Sequence, residues 1–345
     1  MTGQAQGISA LASVPGAITK IGCALMGSGE GAKAIALVES LLAERPNDPE
    51  LLSAARLILS HGVSRWHVQM LADAERNGAF ERAIARAASK GGTVLDIGTG
   101  SGLLALMAAR AGATCVYACE ADSALAETAR KIVALNGYSH VISVLPKRST
   151  ELRREGDLAG GADVVVAEVF SDDVLTEGAL PTLQHAAAEL ARPGAQIIPA
   201  SASVRVALAY RDYGARDLRN VEGFDLSPFE RHFPPHRSLL IGDKHLHLRS
   251  EPRTLFEFDF QRGARFRNER AELRLTASGG IANGVVRWIR LQLDEQEAYE
   301  NLPEAGKQSH WGAWFNPLPG KPLEAGESIV LHATHDQERV HLWFS

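Results

Sequence analysis

The sequence predicts an α/β domain followed by an antiparallel, barrel-like β domain, with a short helical segment at the N-terminus. Three observations carry this prediction. Apolar residues recur at helical spacing up to residue 62, strand and helix patterns alternate over residues 63–199, and apolar and polar residues alternate over residues 200–345. Alternating strands and helices require right-handed crossovers and a mostly parallel sheet, whereas a period of two is typical of antiparallel strands.

The composition is that of a globular protein. The chain has 345 residues, of which 45% are hydrophobic, and a formal net charge of −5. This mild acidity disfavours bulk attraction to nucleic acid or to an anionic membrane. No apolar run reaches the ~18 residues of a membrane span, and the N-terminus lacks the basic region of a signal peptide. We therefore expect a cytoplasmic protein without nucleic-acid or membrane partners, and its three cysteines fit a reducing compartment.

The N-terminal segment, residues 1–62, predicts a helical hairpin. Two apolar stripes lie on either side of a turn, and their members are Ala34, Leu37, Val38, Leu41 and Leu42, then Leu51, Leu52, Ala55 and Leu59. Asp48 as N-cap and Pro49 in the first helical position predict where the second helix begins. The hairpin resembles one tetratricopeptide-type unit, which cannot bury both of its faces alone. A plain helical extension is the alternative interpretation.

The middle region predicts five strands with helices between them. The strands are Thr93–Ile97, Thr114–Cys119, Val141–Leu145, Asp163–Ala167 and Gln196–Pro199. The helices are Leu103–Ala111, Ala124–Asn136 and Leu183–Ala191. Cys115 and Cys119 share one predicted strand, and no second Cys or His pair follows at zinc spacing. Two cysteines on a buried strand are therefore favoured over a metal site.

The last region predicts six strands and one long insertion. The strands are Ser203–Ala209, Thr254–Phe260, Glu272–Thr276, Val285–Leu293, Ser328–Ala333 and Val340–Phe344. The insertion, about residues 212–246, is long for a structureless loop and carries Phe224, Phe229, Phe233, Leu239 and Leu240, so we expect it to pair with a second subunit. Four histidines also lie there, His232, His236, His245 and His247. A polar, exposed arm is favoured over a metal site, and no metal is predicted.

A glycine-rich turn follows the first strand of the middle region. The stretch Val94–Leu104 runs from a strand through Gly98, Gly100 and Gly102 into a helix. Glycines let a ligand lie against the backbone, and a helix N-terminus offers N–H groups to a carboxylate or phosphate. The spacing is G-x-G-x-G, not the G-x-G-x-x-G of the dinucleotide fingerprint. Glu120 ends the second strand, where a carboxylate can accept both hydroxyls of a ribose.

This combination resembles the S-adenosylmethionine-dependent methyltransferases of the Rossmann-like class. It consists of Asp96 before the first glycine, the three glycines and Glu120 at the end of the second strand. The resemblance implies a Rossmann-like domain over residues 63–199 that binds S-adenosyl-L-methionine as cofactor. A nicotinamide enzyme, or a relic that binds no cofactor, is the alternative.

The segment after the fourth strand is strongly acidic. Between Ala167 and Gly178 it carries four carboxylates and no basic residue, namely Glu168, Asp172, Asp173 and Glu177. Open α/β sheets bind ligands at the carboxyl ends of their strands, so we expect this segment to face the cofactor. A flat guanidinium matches two carboxylates in a bidentate arrangement. The segment therefore favours a guanidinium as substrate.

Four motifs in order resemble the protein arginine methyltransferases. Glu168 and Glu177, nine residues apart, match the double-E hairpin of that family. The stretch His67–Arg76 is similar to its "HxxMLxDxxR" segment, and Gly223–Ser227 resembles the opening of its dimerisation arm. Ser309-His310-Trp311 stands where the family has Thr-His-Trp. The likeness runs from about residue 66 to the C-terminus. The glycine loop and Glu177-Gly178-Ala179-Leu180-Pro181 look most like the branch that forms monomethylarginine.

The resemblance implies a role for each matching residue. Cofactor contacts are implied for Arg76, Asp96, Gly98, Gly100, Gly102, Glu120, Ser149 and Thr150. Catalytic roles are implied for Glu168 and Glu177 as the guanidinium clamp, Met70 beside the transferred methyl, and Asp73 paired with His310. A substrate contact is implied for Trp311, and the added negative charge of Asp172 predicts a further one. Taken singly, each residue has an ordinary interpretation as core filler, helix cap or solvated charge, and only their joint occurrence favours function.

The expected activity is methyl transfer to a guanidino nitrogen of arginine in a protein or peptide, by a homodimer. Asp172 and Asp173 suggest a substrate with more than one basic residue, such as Arg-x-Arg. Two departures from the family stand out, the absence of tyrosine in Leu59–Trp66 and Ser309 in place of Thr. Alternatives are a methyltransferase for a small guanidino or amino compound, and a weakly catalytic scaffold whose helical hairpin binds partners.

Overall fold

The computed structural model describes residues 16–61, 66–212, 218–263 and 265–345. The predicted boundary at residues 62 and 63, and residues 213–217 of the predicted arm, lie outside these ranges. The chain divides into two compact units. The first comprises Met1–Gln69, Ile84–Glu168 and Glu189–Gln196, and the second comprises Met70–Ala83, Val169–Ala188 and Ile197–Ser345.

Three helices open the first unit. They are α1 (Ala17–Gly27), α2 (Gly31–Glu44) and α3 (Pro49–Ser60). The Asp48 carboxylate accepts the backbone N–H groups of Glu50 and Leu51, which confirms the predicted N-cap of α3. Helices α2 and α3 match the two predicted stripes, whereas the sequence does not predict α1. This helix starts at Gly16 without a side-chain cap, so it lacks the usual signal for a helix start.

These helices pack on α7 (Ser123–Leu135) of the same unit. Their shared core holds Met26, Ala34, Ile35, Val38, Ala55, Ile58 and Ala124. The Ser123 hydroxyl donates to the Gly29 carbonyl at 2.8 Å and accepts the Ala32 N–H at 3.3 Å. The backbones approach closely here, because a Cβ on Gly31 would lie 2.5 Å from the Ala124 Cβ. The N-terminal helices therefore bury their apolar face within the first unit.

A five-stranded sheet forms the centre of the first unit. Its strands are β1 (Thr93–Ile97), β2 (Cys115–Cys119), β3 (Ile142–Leu145), β4 (Ala162–Ala167) and β5 (Ala191–Ile198), in the order β3-β2-β1-β4-β5. Strand β1 pairs in parallel with β2 and β4, and β2 pairs in parallel with β3. The predicted parallel sheet is therefore confirmed. Cys115 and Cys119 both lie on β2, as expected.

Helices connect the strands of this sheet. Helix α6 (Leu103–Ala111) follows β1, α7 follows β2, and the short α8 (Arg154–Asp157) precedes β4. The predicted helix Leu183–Ala191 is misplaced. Helix α9 (Ala179–His185) begins directly after Gly178, a π-helical turn follows over Ala186–Leu190, and β5 already begins at Ala191. The alanine-rich sequence after His185 continues a helical pattern, so it does not mark where α9 ends.

The second unit is built mainly from antiparallel strands. Six of them lie close to their predicted positions: β6 (Ser201–Arg211), β9 (Arg253–Asp259), β10 (Glu269–Thr276), β11 (Gly284–Gln292), β14 (Ser328–His335) and β15 (Val340–Phe344). The sequence does not predict four short strands: β7 (Arg237–Leu239), β8 (Leu246–Leu248), β12 (Ala298–Glu300) and β13 (Ala313–Pro317). Three of the four have only three residues, which is too short to show a period of two.

These strands form two sheets, and the larger one carries an apolar core. One sheet runs β7-β13-β11-β6-β8, with β12 paired to β11 and β9 paired to β6. The other runs β10-β14-β15. Trp288, Phe315 and Val286 are buried in the core of the larger sheet. Helices α4 (Trp66–Ala72) and α5 (Ala74–Ala88) each span the boundary between the two units along the chain.

The described part of the predicted arm includes short regular elements. It contains a 3-10 helix over Ser227–His232 and strand β7, which pairs with β13. Phe224, Phe229 and Leu240 are 69%, 61% and 80% exposed, so a large apolar surface faces solvent in the single chain. Among the described residues, no helix combines the length and the apolar character that crossing a membrane requires.

Replacing Gly31 by Ala tests the packing of α2 on α7. The added methyl would lie 3.0 Å from the Ala124 backbone nitrogen, so one of the two helices must move. We expect a loss of about 1–3 kcal/mol in the free energy of unfolding, measured by thermal or urea denaturation. Gly27→Ala is the matched control, because a Cβ there meets no heavy atom within 4 Å. Equal stability of the two variants would contradict the close approach of these helices.

Candidate active site

The turn after β1 is held by a buried carboxylate. Asp96 is 1% exposed, and its Oδ2 accepts the Thr99 hydroxyl at 2.5 Å and the Ala105 N–H at 3.1 Å. The first bond closes the glycine turn and the second holds the first turn of α6. Gly100 and Gly102 have φ values of 51° and 83°, which favour glycine. Asp96 thus shapes the loop from within.

The end of β2 is tied to this loop. Backbone N–H groups of Gly98 and Thr99 donate to the Cys119 carbonyl at 3.0 and 3.1 Å. The two Glu120 carboxylate oxygens accept the N–H groups of Gly100 and Asp122 at 3.0 and 2.9 Å. Burial, and next the charge of Asp96, raise the pKa of the Cys119 thiol to about 12. The structure therefore brings Asp96, the glycines and Glu120 together at the carboxyl ends of two neighbouring strands.

The arrangement fits a ribosyl cofactor. A Cβ at Gly100 would meet no heavy atom within 4 Å, so the space over the loop is open, and a carboxylate lies at its edge to accept ribose hydroxyls. Ser149 and Thr150 open a 3-10 turn, Ser149–Glu151, soon after β3, the strand beside β2. Ser149 is buried and Thr150 is exposed.

In the second unit, Asp73 and His310 form a buried pair. The Asp73 Oδ2 lies 3.0 Å from the His310 Nδ1 and accepts the His310 backbone N–H at 3.2 Å, while Oδ1 accepts the Arg76 N–H at 2.9 Å. Both side chains are 4% exposed. Burial raises the pKa of Asp73, but hydrogen bonds from His310, Arg76 and Tyr299 outweigh it and hold that pKa below its ordinary value. The predicted pairing of Asp73 with His310 is present.

Two polar residues that the sequence analysis does not assign to the site extend this pair. The Tyr299 hydroxyl contacts Asp73 Oδ2 at 3.0 Å and the Ser309 Oγ at 2.8 Å. Asn301 donates to the Gly312 carbonyl at 2.7 Å and accepts the Ile289 N–H at 2.9 Å, which ties the loop after His310 to β11. No local motif marks either residue, since their partners lie far away or follow in an irregular loop.

Arg76 and Met70 lie next to this cluster along the chain, on α5 and α4 respectively. Arg76 is 2% exposed, its guanidinium lies 4.9 Å from the Phe80 ring centroid, and its Nη1 donates to the Asn77 Oδ1 at 2.8 Å. Met70 is buried, and its carbonyl accepts the Asp73 N–H at 3.2 Å. The structure thus places Met70, Asp73 and Arg76 in one helix–turn–helix segment of the second unit.

The acidic loop contains a strained turn. Val174 has a φ of 74°, in the left-handed region that β-branched residues rarely adopt. The Asp173 Oδ1 on one side accepts four donors, the Ser171 and Thr176 hydroxyls and the N–H groups of Leu175 and Thr176, at 2.7–3.1 Å. These bonds hold the turn in place. Asp173 is thus 8% exposed and engaged inside the loop.

The loop is tied to the segment after His310. The Asp172 Oδ1 accepts the Gly312 N–H at 2.8 Å, and the Trp311 Nε1 donates to the Phe170 carbonyl at 2.7 Å. Trp311 is 3% exposed, and burial raises the pKa of Asp172 despite the bond from Gly312. Glu168 follows β4 in the first unit and is half-buried, whereas Glu177 precedes α9 in the second unit and is exposed.

The four arm histidines do not form a cluster of ligands. His236 packs edge-on against Trp314, with ring centroids 4.5 Å apart, and burial lowers the pKa of His236. Over the described ranges, no group of three or more His, Cys, Asp or Glu side chains is arranged to hold a metal ion.

Comparisons of the whole chain find relatives that act on arginine. A protein of Streptomyces achromogenes named arginine N(omega)-methyltransferase is 37% identical over 332 residues, covering 90% of this chain and 88% of that protein. Protein arginine N-methyltransferase 1.6 of Arabidopsis thaliana and protein arginine N-methyltransferase 7 of Drosophila sechellia are each 33% identical over 78% and 80% of this chain. The chain spans 42% and 46% of these two proteins.

A family model described as ribosomal protein L11 methyltransferase matches residues 80–200. Among solved structures, the Trypanosoma brucei PRMT1 enzyme–prozyme heterotetrameric complex with AdoHcy has a TM-score of 0.72, with 23% identity over 83% of this chain and 95% of that one. A PRMT6 structure has a TM-score of 0.64, with 21% identity over 81% of this chain and 99% of that one. At this identity the two structures establish the fold.

Replacing Asp73 by Asn tests the buried cluster through its pH dependence. A carboxyl group whose pKa is lowered by folding contributes stability above its unfolded pKa, about 3.9, and this contribution is lost as the pH falls through the folded value. We expect Asp73→Asn to lower the free energy of unfolding at pH 7 by about 1–3 kcal/mol. The difference from the native chain should shrink below pH about 4. A difference that stays constant from pH 3 to 7 in urea titrations would contradict the ionised, hydrogen-bonded carboxylate.

Proposed function

Because the chain belongs to the protein arginine methyltransferase family, we propose that it transfers a methyl group from S-adenosyl-L-methionine to a guanidino nitrogen of arginine in a protein or peptide. The observation that carries the proposal is 37% identity to an arginine methyltransferase over 90% of the chain. The glycine loop with Glu120 and the buried Asp73–His310 pair support it, since they supply a cofactor cradle and a proton acceptor.

The first unit supplies the cofactor contacts. S-adenosyl-L-methionine, when bound, supplies an electrophilic methyl group on a sulfonium. Glu120 accepts the ribose hydroxyls, and the glycine loop, shaped by Asp96, admits the cofactor against the backbone at Gly98. Ser149 and Thr150 contact the adenine edge. In the second unit, the Arg76 guanidinium binds the methionine carboxylate, and Met70 packs beside the methyl group.

The acceptor is a poor nucleophile that the protein must prepare. A guanidinium has a pKa above ~12 and delocalised lone pairs, so no side chain removes its proton in advance. Glu168 and Glu177 hold the positive charge on the far nitrogens and leave one Nη richer in electrons. They also fix the direction of attack, and such positioning of the reacting groups lowers an activation free energy by roughly 7–11 kcal/mol. Trp311 contacts the arginine side chain.

The proton leaves during or after methyl transfer, because methylation makes the nitrogen acidic. Glu177 or the Asp73–His310 pair accepts it. Asp172 adds a carboxylate to the acidic loop and favours substrates with more than one basic residue, such as Arg-x-Arg. The Asp172 carboxylate accepts the Gly312 N–H, and this hydrogen bond fixes the position of its charge.

Glutamine variants of the two clamp glutamates test the role of the acidic loop. We expect Glu168→Gln and Glu177→Gln to lower kcat by roughly a hundredfold or more, because each removes charge that stabilises the transition state. Cofactor affinity, measured by calorimetry, should stay unchanged. Glu44→Gln, at an exposed glutamate at the end of α2, is the control and should behave as the native enzyme. Normal turnover by Glu168→Gln would rule out the clamp.

The same assay identifies the substrate. The enzyme is incubated with cofactor labelled on the methyl group and with an Arg-x-Arg peptide, a single-arginine peptide or free L-arginine, and arginine products are read by mass spectrometry. We expect monomethylarginine, formed fastest on the Arg-x-Arg peptide. The name of the Streptomyces relative mentions arginine alone, so free L-arginine is included in the assay. If only free arginine is methylated, the substrate is a small guanidino compound and not a peptide. Failure to bind the cofactor would favour the scaffold alternative.

We further propose a cytoplasmic homodimer assembled through the arm. Phe224, Phe229, Phe233 and Leu240 are all at least half exposed in the single chain, and such a patch is typical of a protein interface. The trypanosomal structure is that of a heterotetrameric complex, so a protein of the same fold is oligomeric. Cys23, Cys115 and Cys119 form no disulfide, which fits a reducing compartment.

Replacing Phe229 by Asp tests this interface. A charge in the middle of the apolar patch cannot be buried without a partner, so the variant should be monomeric in light scattering where the native chain is dimeric. Ile281→Asp is the control, because Ile281 is 42% exposed in the same unit but outside the arm. A dimer that survives Phe229→Asp, or a native monomer, would rule out assembly through the arm.

A further inference from the structure

A buried tyrosine hydroxyl lies against the Asp73–His310 pair. Tyr299 is 3% exposed, and its hydroxyl is 3.0 Å from the Asp73 Oδ2 and 2.8 Å from the Ser309 Oγ. We propose that Tyr299 is a positioning residue, which orients Asp73 and His310 so that His310 accepts the proton released by the arginine nitrogen. The inference rests on the proposed function and adds a residue that the motifs of the sequence do not contain.

The direction of each hydrogen bond follows from the number of protons. An ionised carboxylate can only accept, and a phenol has one proton, so Tyr299 donates to Asp73. The Ser309 hydroxyl therefore donates to the Tyr299 oxygen, while its own oxygen accepts the Trp311 N–H at 3.1 Å. A directed chain runs from the Trp311 backbone through Ser309 and Tyr299 to Asp73.

Tyr299 keeps its proton throughout this arrangement. Burial raises the pKa of Tyr299 well above its usual value, and the neighbouring charge of Asp73 acts in the same direction with a smaller effect. The hydroxyl is therefore a permanent donor at neutral pH, and no proton passes through it. Its ring also packs against Trp311, with centroids 5.5 Å apart, which fixes the position of the hydroxyl oxygen.

The position of Asp73 decides which nitrogen of His310 is basic. With the proton of Nδ1 donated to Asp73, the lone pair of the neutral imidazole is on Nε2. The arginine nitrogen gains a methyl group and loses one proton, and Nε2 is the atom that takes this proton. Since Oδ2 of Asp73 accepts Tyr299 and two donors of His310, loss of one donor leaves more negative charge to hold the imidazolium.

The charged groups around His310 come from two segments, the α4–α5 junction and the acidic loop. Asp73 lies between α4 and α5, and Asp172 in the acidic loop is close enough to feel the charge of His310. The charge of Glu75, in the first turn of α5, adds to the causes that raise the pKa of Tyr299. Of these, Asp73 accepts directly from Tyr299, so removal of the hydroxyl changes the charge that His310 meets at Nδ1.

Tyr299→Phe removes the hydroxyl and keeps the ring. We expect the acidic limb of the pH profile of kcat/KM to move up by about half to one pH unit, the size of one lost hydrogen bond. Activity at pH 7 should fall roughly three- to tenfold and recover towards the native rate at higher pH. Cofactor affinity should not change. Tyr210→Phe, on β6 of the same unit, is the control and should leave the profile in place.

A second readout does not depend on activity. Nitrogen NMR of the free protein should find the Nδ1–H tautomer of neutral His310 in both chains, and the pH at which His310 becomes protonated should be higher in Tyr299→Phe by about half to one unit. If Tyr299→Phe does not fold, Ser309→Ala removes the donor on the other side of the hydroxyl and should move the limb in the same direction. A loss of activity that is equal at every pH, or an unchanged pH of His310 protonation in the NMR experiment, would overturn the positioning role. Absence of arginine methylation by the native enzyme would instead overturn the proposed function and leave the NMR test intact.

Discussion

The buried carboxylate of Asp73 is the constraint on which the second unit depends. A charge taken out of water is costly unless every lone pair finds a donor, and here the donors come from the first turn of α5, from β12 and from the loop at His310. Each of these segments must therefore be in place for the others to be stable. The bidentate pair between Arg82 and Glu297 joins α5 to the turn before β12 a second time. The contacts of Asp73 that stabilise the second unit are thus the same contacts that position His310.

The sequence predicts the long regular elements. It misses elements that are too short to show a hydrophobic period or that lack a signal for a helix start. Strand β1 and helix α6 match their predicted bounds, since each has one uniform apolar pattern. The short strands β7 and β12 carry too few residues for such a pattern, and they form because longer neighbours, β13 and β11, offer them hydrogen bonds. Helix α1 is likewise stabilised by the apolar core that it shares with α2 and α7.

In the candidate site, the sequence motifs contain residues that are neighbours both along the chain and in space. The glycine loop and Asp96 are of this kind. Tyr299 is not, because its partner Asp73 is 226 positions away and nothing local marks the contact. The number of acidic residues in the loop is misleading in part, because the Asp173 Oδ1 already accepts four donors inside the loop. A carboxylate count from sequence therefore overstates the charge that a substrate meets.

The strained turn at Val174 restricts how this loop can change in evolution. Glycine at that position would adopt the same φ without strain and make the four bonds of Asp173 dispensable. Loss of Asp173 while Val174 is present would leave the strain unopposed. The two sites are therefore epistatic, and their order of substitution matters: a lineage can lose the aspartate after a glycine has arisen, whereas the reverse order passes through a damaged intermediate.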